Sequence, residues 1–469
     1  MRAAGLRAAA VVAAVVALAT LPWILSGLDQ FPQKSYDHDR FHLPLVREFA
    51  AQFPACDLAD YPSATGPGFH LVLAATAQVV GTGETTLQLV GSLMAIGLAA
   101  TVAWRLGSWR SSAWQGVLLS LPLVLNPYLL GNAIWLMTDN LSLWLLACPI
   151  LGATLVAATP ARLGRWGLAA AAACVVRQIN LWVLGPIAVA GVLGWWTGRR
   201  GSDDSARAVV GGRGGSVLLG WTMLACLPAV LVVGGFAWLW GGLTPPSFQE
   251  YHAVSVQPAA VPFGLTLLAA YAAPLWMPIL VGRGDRGRVP TWFAVFASFG
   301  WAAFLIAGNS DAGLEQGRQG GWLWTLVERA PAPGGVSIVL AIGSAIGVLL
   351  LVQLVAMASS RGRLGGAVVA AATLVAFLVA HAANKQLFQR YFDPTVLLVL
   401  AILAALAWRR DGDARTPRDA GTSKAWMVAL LVMAAMQLSF AVATLFEPLA
   451  RAGAAETTGP EVESRGTMR

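Results

Sequence analysis

The chain has 469 residues, of which 57% are hydrophobic and 12% charged, with a formal net charge of +8 and a mean hydropathy of +0.65. A soluble globular domain carries about 25% charged residues, so this composition excludes one. The positive excess lies in short Arg clusters between apolar runs, as the positive-inside bias requires, and does not imply a nucleic-acid partner.

Apolar runs long enough to cross a bilayer recur from end to end and predict an integral membrane protein. Because the runs are continuous rather than alternating, helices and not a β-barrel are expected to span. The expected fold class is all-α, a polytopic transmembrane helical protein of about 13 spans. The four cysteines, Cys56, Cys148, Cys174 and Cys226, have neither metal-ligand spacing nor a disulfide framework.

In chain order, Arg2 and Arg7 precede a first span over 8–28, read as a retained anchor rather than a cleaved leader. A first extracytoplasmic loop over 29–66 follows. Residues 67–80 predict a short apolar helix too short to span. Further spans are expected over 85–104, 112–131, 138–157, 166–180, 181–197, 216–240, 263–282, 290–308, 333–357, 366–383, 394–408 and 425–446. Arg pairs such as Arg105/Arg110, Arg162/Arg165 and Arg361/Arg363 mark the cytoplasmic ends. Residues 1–450 form a single transmembrane domain and 451–469 a flexible tail.

The predicted outer segments collect the remaining polar chemistry. The first loop carries Asp37, His38, Asp39, His42 and Asp60, then Tyr61-Pro62-Ser63-Ala64-Thr65-Gly66-Pro67-Gly68, a run that turns the chain into the short helix. Later segments hold Asn126, Asn132, Thr138, Asp139 and Asn140; Arg177-Gln178-Ile179-Asn180; Glu250, Tyr251 and His252; Asp311, Glu315, Arg318, Trp322 and Trp324; and a loop with Lys385, Gln389, Arg390, Tyr391 and Asp393. Each has a structural reading beside a functional one. Asp37 and Asp39 are either solvated loop acids or a general base. Asp139 is either a helix N-cap or a ligand-binding acid. Arg177 is either half of an ion pair, with Asp139 as partner, or a bidentate phosphate ligand. Arg390 and Lys385 either snorkel at the interface or bind phosphate. Trp322 and Trp324 form an interfacial belt or a sugar platform, and His42 and His70 are hydrogen-bonded structural residues or substrate contacts. No Walker, GxGxxG or HExxH pattern stands in a supporting context.

These motifs resemble the GT-C glycosyltransferases, multi-span enzymes with an acidic motif in the first outer loop. More narrowly, Tyr36 through Pro44 resembles the first-loop motif of the α-1,2-glucosyltransferase family that completes dolichol-linked oligosaccharide. Thr65-Gly66-Pro67-Gly68 is similar to that family's Thr-Pro-Pro-Gly step, Thr138-Asp139 to its Thr-Asp, and Arg177-Gln178-Ile179-Asn180 to its Arg-Gln-Thr-Asn. Arg390-Tyr391 stands for a late Asn-Arg-His-Tyr segment. In the family motif Glu stands at the place of Asp39 and Asp at that of His38, so Asp37 and Asp39 both remain open as the base.

The resemblance implies an inverting hexosyltransferase that moves glucose or another hexose from a polyprenyl-phosphate donor to a lipid-linked or cell-envelope glycan. No metal or other cofactor is implied. Asp39 or Asp37 would be catalytic. His42, Thr65, Asp139, Arg177, Gln178, Asn180, Lys385 and Arg390 would bind substrate. With only three lysines among its cationic residues, the chain is expected in a bacterial inner membrane, its site facing the exterior. A transporter or flippase of lipid-linked sugars, and a polysaccharide polymerase or ligase, are the alternatives.

Overall fold

The computed structural model describes residues 2–27, 36–59, 61–200, 214–249, 256–281, 295, 297–299, 301–302, 319–384, 386–408 and 417–446. The helices are α1 (Arg2–Ser26), α2 (Leu43–Gln52), α3 (Gly68–Val80), α4 (Glu84–Arg110), α5 (Ala113–Val124), α6 (Pro127–Ile134), α7 (Asp139–Leu155), α8 (Pro160–Val176) and α9 (Leu184–Arg200). They continue with α10 (Gly214–Trp240), α11 (Ala260–Ala272), α12 (Trp276–Val281), α13 (Trp322–Arg329), α14 (Ile338–Ser359), α15 (Leu364–His381), α16 (Gln389–Ala407) and α17 (Pro417–Ala441). A two-residue parallel bridge joins β1 (Gln319–Gly320) to β2 (Leu387–Phe388). The protein is therefore an all-α, multi-pass membrane protein.

Among the described residues nine helical segments are long and apolar enough to cross a bilayer, or ten if the bent pair α5–α6 counts as one span. That pair bends by 75° where Asn126 interrupts the expected 112–131 helix and its side chain caps α6 through the amides of Tyr128 and Leu129. Helices α7 and α8, expected to span, are 17 residues each. The span expected over 290–308 lies mostly outside the described residues, and Lys385 and the tail 451–469 lie wholly outside them. The first loop contains α2, and the span expected over 394–408 begins earlier than its apolar run, so Gln389, Arg390, Tyr391 and Asp393 are helical.

Burial orders the bundle. Only 28% of the most apolar window of α10 is buried, and its exposed Met223, Leu224, Leu231 and Trp238 form a surface suited to lipid. In α16 the buried share is 89%, so that helix is enclosed by its neighbours. Small residues permit close approach: a Cβ on Gly116 of α5 would lie 2.6 Å from the Gly107 Cα of α4.

The far end of α16 is closed by two arginines. Arg110 Nη1 donates to the Trp408 carbonyl at 2.5 Å and its Nε to Gln115 Oε1 at 2.7 Å. Arg363 Nη1 donates to the carbonyls of Leu406 and Trp408 at 2.9 and 3.0 Å. The last carbonyls of a helix have no intrahelical donor and carry partial negative charge, which is what these guanidinium groups meet. Three of the ends that the Arg pattern assigned to one side of the membrane, at Arg110, Arg363 and Trp408, thus meet. Arg110→Ala removes its buried charge-assisted bond to the Trp408 carbonyl and its bond to Gln115 Oε1 and is expected to destabilise the fold by about 2 kcal/mol, seen as a lowered thermal midpoint in detergent; an unchanged midpoint would contradict this role.

Candidate functional site

The first loop, between α1 and α3, is held in shape by histidines. Residues His38–His42 form a π-helical turn in which the Leu43 amide donates to the His38 carbonyl, running directly into α2. Its inward residues are His38 and His42, four apart, while Asp39 and Arg40 are exposed. His38 is buried; its Nδ1 accepts the Leu136 amide at 3.0 Å, and its Nε2 lies 3.3 Å from Glu84 on α4. His42 Nδ1 lies 2.9 Å from His70 Nε2, His70 Nδ1 lies 2.6 Å from the Tyr61 hydroxyl, and Tyr61 donates to the Gly66 carbonyl at 3.1 Å.

That loop docks on the end of α8. A Cβ on Gly66 would sit 2.2 Å from the Val175 carbonyl oxygen, and one on Gly68 3.0 Å from the Val175 carbonyl carbon. The Thr-Gly-Pro-Gly step therefore packs backbone to backbone against the last turn before Arg177. The Arg177 amide still bonds the Ala173 carbonyl, while its side chain donates to Asp139, the first residue of α7. Asp139 is paired to this arginine rather than capping its helix. Asn180 Nδ2 fastens the same corner to Ser142 Oγ and the Ala173 carbonyl, both at 2.8 Å.

The near end of α16 supplies the second cation. Arg390 Nη1 donates to Asp37 Oδ2 at 2.9 Å, and Nη2 to the Tyr391 hydroxyl at 3.2 Å. Both guanidinium groups lie against the Tyr391 ring, 4.7 Å from its centroid for Arg177 and 5.1 Å for Arg390. Asp139, Arg177, Arg390 and Tyr391, with Asn132, Asn180 and His381, line a partly open cleft. Among the described residues, Arg390 Nε and Asn132 Nδ2 have no acceptor. Buried donors normally do, so the cleft wall offers hydrogen bonds to an oxygen-rich ligand.

Beneath Arg390, Asp393 Oδ2 accepts from Tyr271 Oη at 2.5 Å, Gln389 Nε2 at 3.0 Å and Asn126 Nδ2 at 3.5 Å. Asn126 also donates to Gln437 Oε1 at 2.9 Å. The network joins α11, the α5–α6 bend and α17 to the start of α16, fixing the helix that carries Arg390.

Thus Asp139, Arg177, Asn180 and Arg390 line one cleft, and Asp37 is joined to it through Arg390, whereas His42 bonds His70 and does not line it. Asp39 does not: its side chain is 55% exposed and turns towards His38, 3.7 Å away. Thr65 bonds Ser63 and does not line the cleft. Gln178 is buried, its Nε2 without an acceptor among the described residues. Trp324 is neither belt nor platform: it is 1% exposed, stacked on Phe263, and its Nε1 donates to the Leu387 carbonyl. Sequence reasoning missed that both arginines meet the Tyr391 ring, and the partnership of Tyr61 with His70. The aromatic at 391 beside an arginine was the only local signal.

One group of described residues, His38, Asp39 and Glu84, comes close enough to hold a metal ion. The donor set fits poorly. His38 Nδ1 already accepts an amide proton, so Nε2 of the neutral ring carries the hydrogen and offers no lone pair.

Two outcomes follow from this packing. Burial lowers the His42 pKa to about 4, against the opposing pull of Asp37 and Asp139, and holds His70 well below 6.5. Neutral in the fold, these rings titrate near 6.5 once unfolded, so stability is fully present above that pH and is lost as pH falls towards 4. His42 alone contributes on the order of 3 kcal/mol to that loss. Thermal midpoints in detergent should therefore drop across this window, less steeply in His42→Gln; a flat profile would contradict neutral burial. Gly66→Ala should displace the loop from Val175 and cost about 1–3 kcal/mol, measurable as a lower midpoint and a weaker Arg177 site. Comparison of the chain with family models, curated proteins and solved structures returns no match.

Proposed function

We propose that the protein is a membrane glycosyltransferase of the GT-C type, moving a hexose from a polyprenyl-phosphate donor to a glycan or lipid-linked acceptor at the extracytoplasmic face. The observation that carries this reading is the pair Arg177 and Arg390, set against one tyrosine ring and each neutralised by a carboxylate. Guanidinium groups bind phosphate oxygens bidentately. An anionic headgroup would replace Asp139 and Asp37 as their partner, and the surrounding apolar helices would accept its lipid chain.

In this reading the acceptor hydroxyl attacks the anomeric carbon, a new C–O bond forms as the bond to the donor phosphate breaks, and the configuration inverts. The departing phosphate carries its charge to Arg177 and Arg390, so no acid is needed to protonate it. The hydroxyl proton passes to a base on the first loop, where Asp37 is the carboxylate that reaches Arg390. Asp39, turned outward, is not required. Glucose as the sugar, and the bacterial inner membrane as the site, rest on the sequence resemblance and composition.

A transporter of lipid-linked sugars is the second reading. It is favoured by Asp393, an acid buried within a membrane helix and met by three donors. Purified protein presented with a panel of synthetic polyprenyl-phosphate sugars separates the two. Donor turnover is expected, by transfer or slow hydrolysis. Arg177→Ala or Arg390→Ala should lower it by about 10²–10³, Asp37→Asn should lower it strongly, and Asp39→Asn should leave it near the unsubstituted level. Donor binding without turnover, with donor movement across proteoliposomes, would replace the enzyme reading with the transporter.

A further inference from the structure

His381 ends α15 and lines the cleft together with Arg177, Arg390 and Tyr391. It is 5% exposed, and its ring is held by Phe377 and Phe392, with centroids 4.1 and 5.0 Å away. Its Nδ1 lies 3.0 Å from the Phe377 carbonyl, one turn back on the same helix. A carbonyl can only accept, so Nδ1 carries the hydrogen, and in the neutral ring Nε2 is a bare lone pair. Among the described residues Nε2 has no hydrogen-bond partner, and it is not one of the polar atoms sealed inside the protein. The small surface the ring keeps therefore includes this nitrogen, and the space that the residue borders is the cleft.

The chemistry of that lone pair is selective. The amides of Asn132, Asn140 and Asn180 and the hydroxyl of Ser142 in the same wall each combine a donor with an acceptor, so they suit phosphate or sugar alike. His381 Nε2 can only accept. An ionised phosphate has no hydrogen to give it, so a ligand that satisfies both the arginines and this histidine carries a hydroxyl beside its anionic group. In a polyprenyl-phosphate sugar the hexose is joined directly to the phosphate. It is the hydroxyl-bearing group that enters a cleft whose cations hold that phosphate.

Resting on the glycosyl-transfer reading, we propose that His381 reads the donor sugar: its Nε2 accepts the hydrogen of one sugar hydroxyl while Arg177 and Arg390 hold the phosphate. His381 determines specificity and takes no part in bond making. The Phe377 carbonyl fixes the tautomer, and the two phenylalanine rings fix the direction of the lone pair. A sugar without that hydroxyl leaves a buried acceptor unpaired, and is rejected for that reason.

The test uses full-length protein in detergent. The probes are the polyprenyl-phosphate hexose that the donor panel shows to turn over fastest, its set of monodeoxy analogues, and polyprenyl phosphate without a sugar. One analogue should lose about 10- to 100-fold in kcat/KM against the parent donor, the range for leaving a buried acceptor without its hydrogen. In His381→Leu that penalty should vanish, while the penalties of the other analogues stay as they were. His381→Gln, which keeps an acceptor oxygen, should retain part of it. Sugar-free polyprenyl phosphate should bind all three proteins alike. ¹⁵N-histidine NMR, with His381 assigned by difference from the variants, should show Nδ1 protonated and Nε2 bare. The Nε2 resonance should move when the parent donor binds and stay in place with the rejected analogue. A protonated Nε2, no penalised analogue, a penalty that survives His381→Leu, an equal loss of turnover with every analogue, or weakened binding of sugar-free phosphate overturns the role of His381 alone. Absence of turnover by the unsubstituted protein with every donor overturns the glycosyl-transfer reading and the inference that rests on it.

Discussion

A charged side chain at the end of a helix enclosed by protein must find its counter-charge within the protein. Helix α16 is such a helix, and it brings Arg390 to the same place where the end of α8 brings Arg177. Two guanidinium groups facing one ring would repel each other at low dielectric. They are tolerated because Asp37 arrives from the first loop and Asp139 from the start of α7. The arrangement is balanced but exchangeable: any ligand with spread negative charge and several oxygens can take the place of either carboxylate.

The rest of the structure holds this balance in register. Arg110 and Arg363 close one end of α16, and the Asp393 network braces the other. The first loop, separated from α16 by most of the chain, is kept in place by His38 on the Leu136 amide and by Gly66 against Val175. Truncating one member of a buried ion pair leaves the other charge uncompensated. Damage to any of these supports should therefore be felt at the arginines before it is felt in the fold as a whole.

Much of this was legible in the sequence. Hydropathy and the spacing of Arg residues mark most of the helices and sort their ends. Arg177 inside an apolar stretch signalled a partner, and Asp139 is that partner. What was not legible depends on distance or on backbone detail. Nothing local says that Asp37 meets Arg390, 353 positions away. Asp393 read as a loop acid because apolar periodicity is blind to a polar first turn, and the packing of α11 and α17 around it decides its burial. The π-turn is equally silent: its five residues have no distinctive pattern, yet it buries His38 and His42 and leaves Asp39 exposed. Trp324 looked like an interfacial aromatic because sequence cannot tell a membrane belt from a core stacking partner for Phe263.

The central claim is that Arg177 and Arg390 form one anion site whose resident carboxylates yield to a lipid phosphate. The most direct measurement is a cryo-EM structure of the protein with a short-chain polyprenyl phosphate. The account predicts the phosphate between the two guanidinium groups beside Tyr391, with the pairs Asp37–Arg390 and Asp139–Arg177 opened and the lipid chain lying along the apolar helices. Phosphate bound elsewhere, with both ion pairs intact, would contradict it.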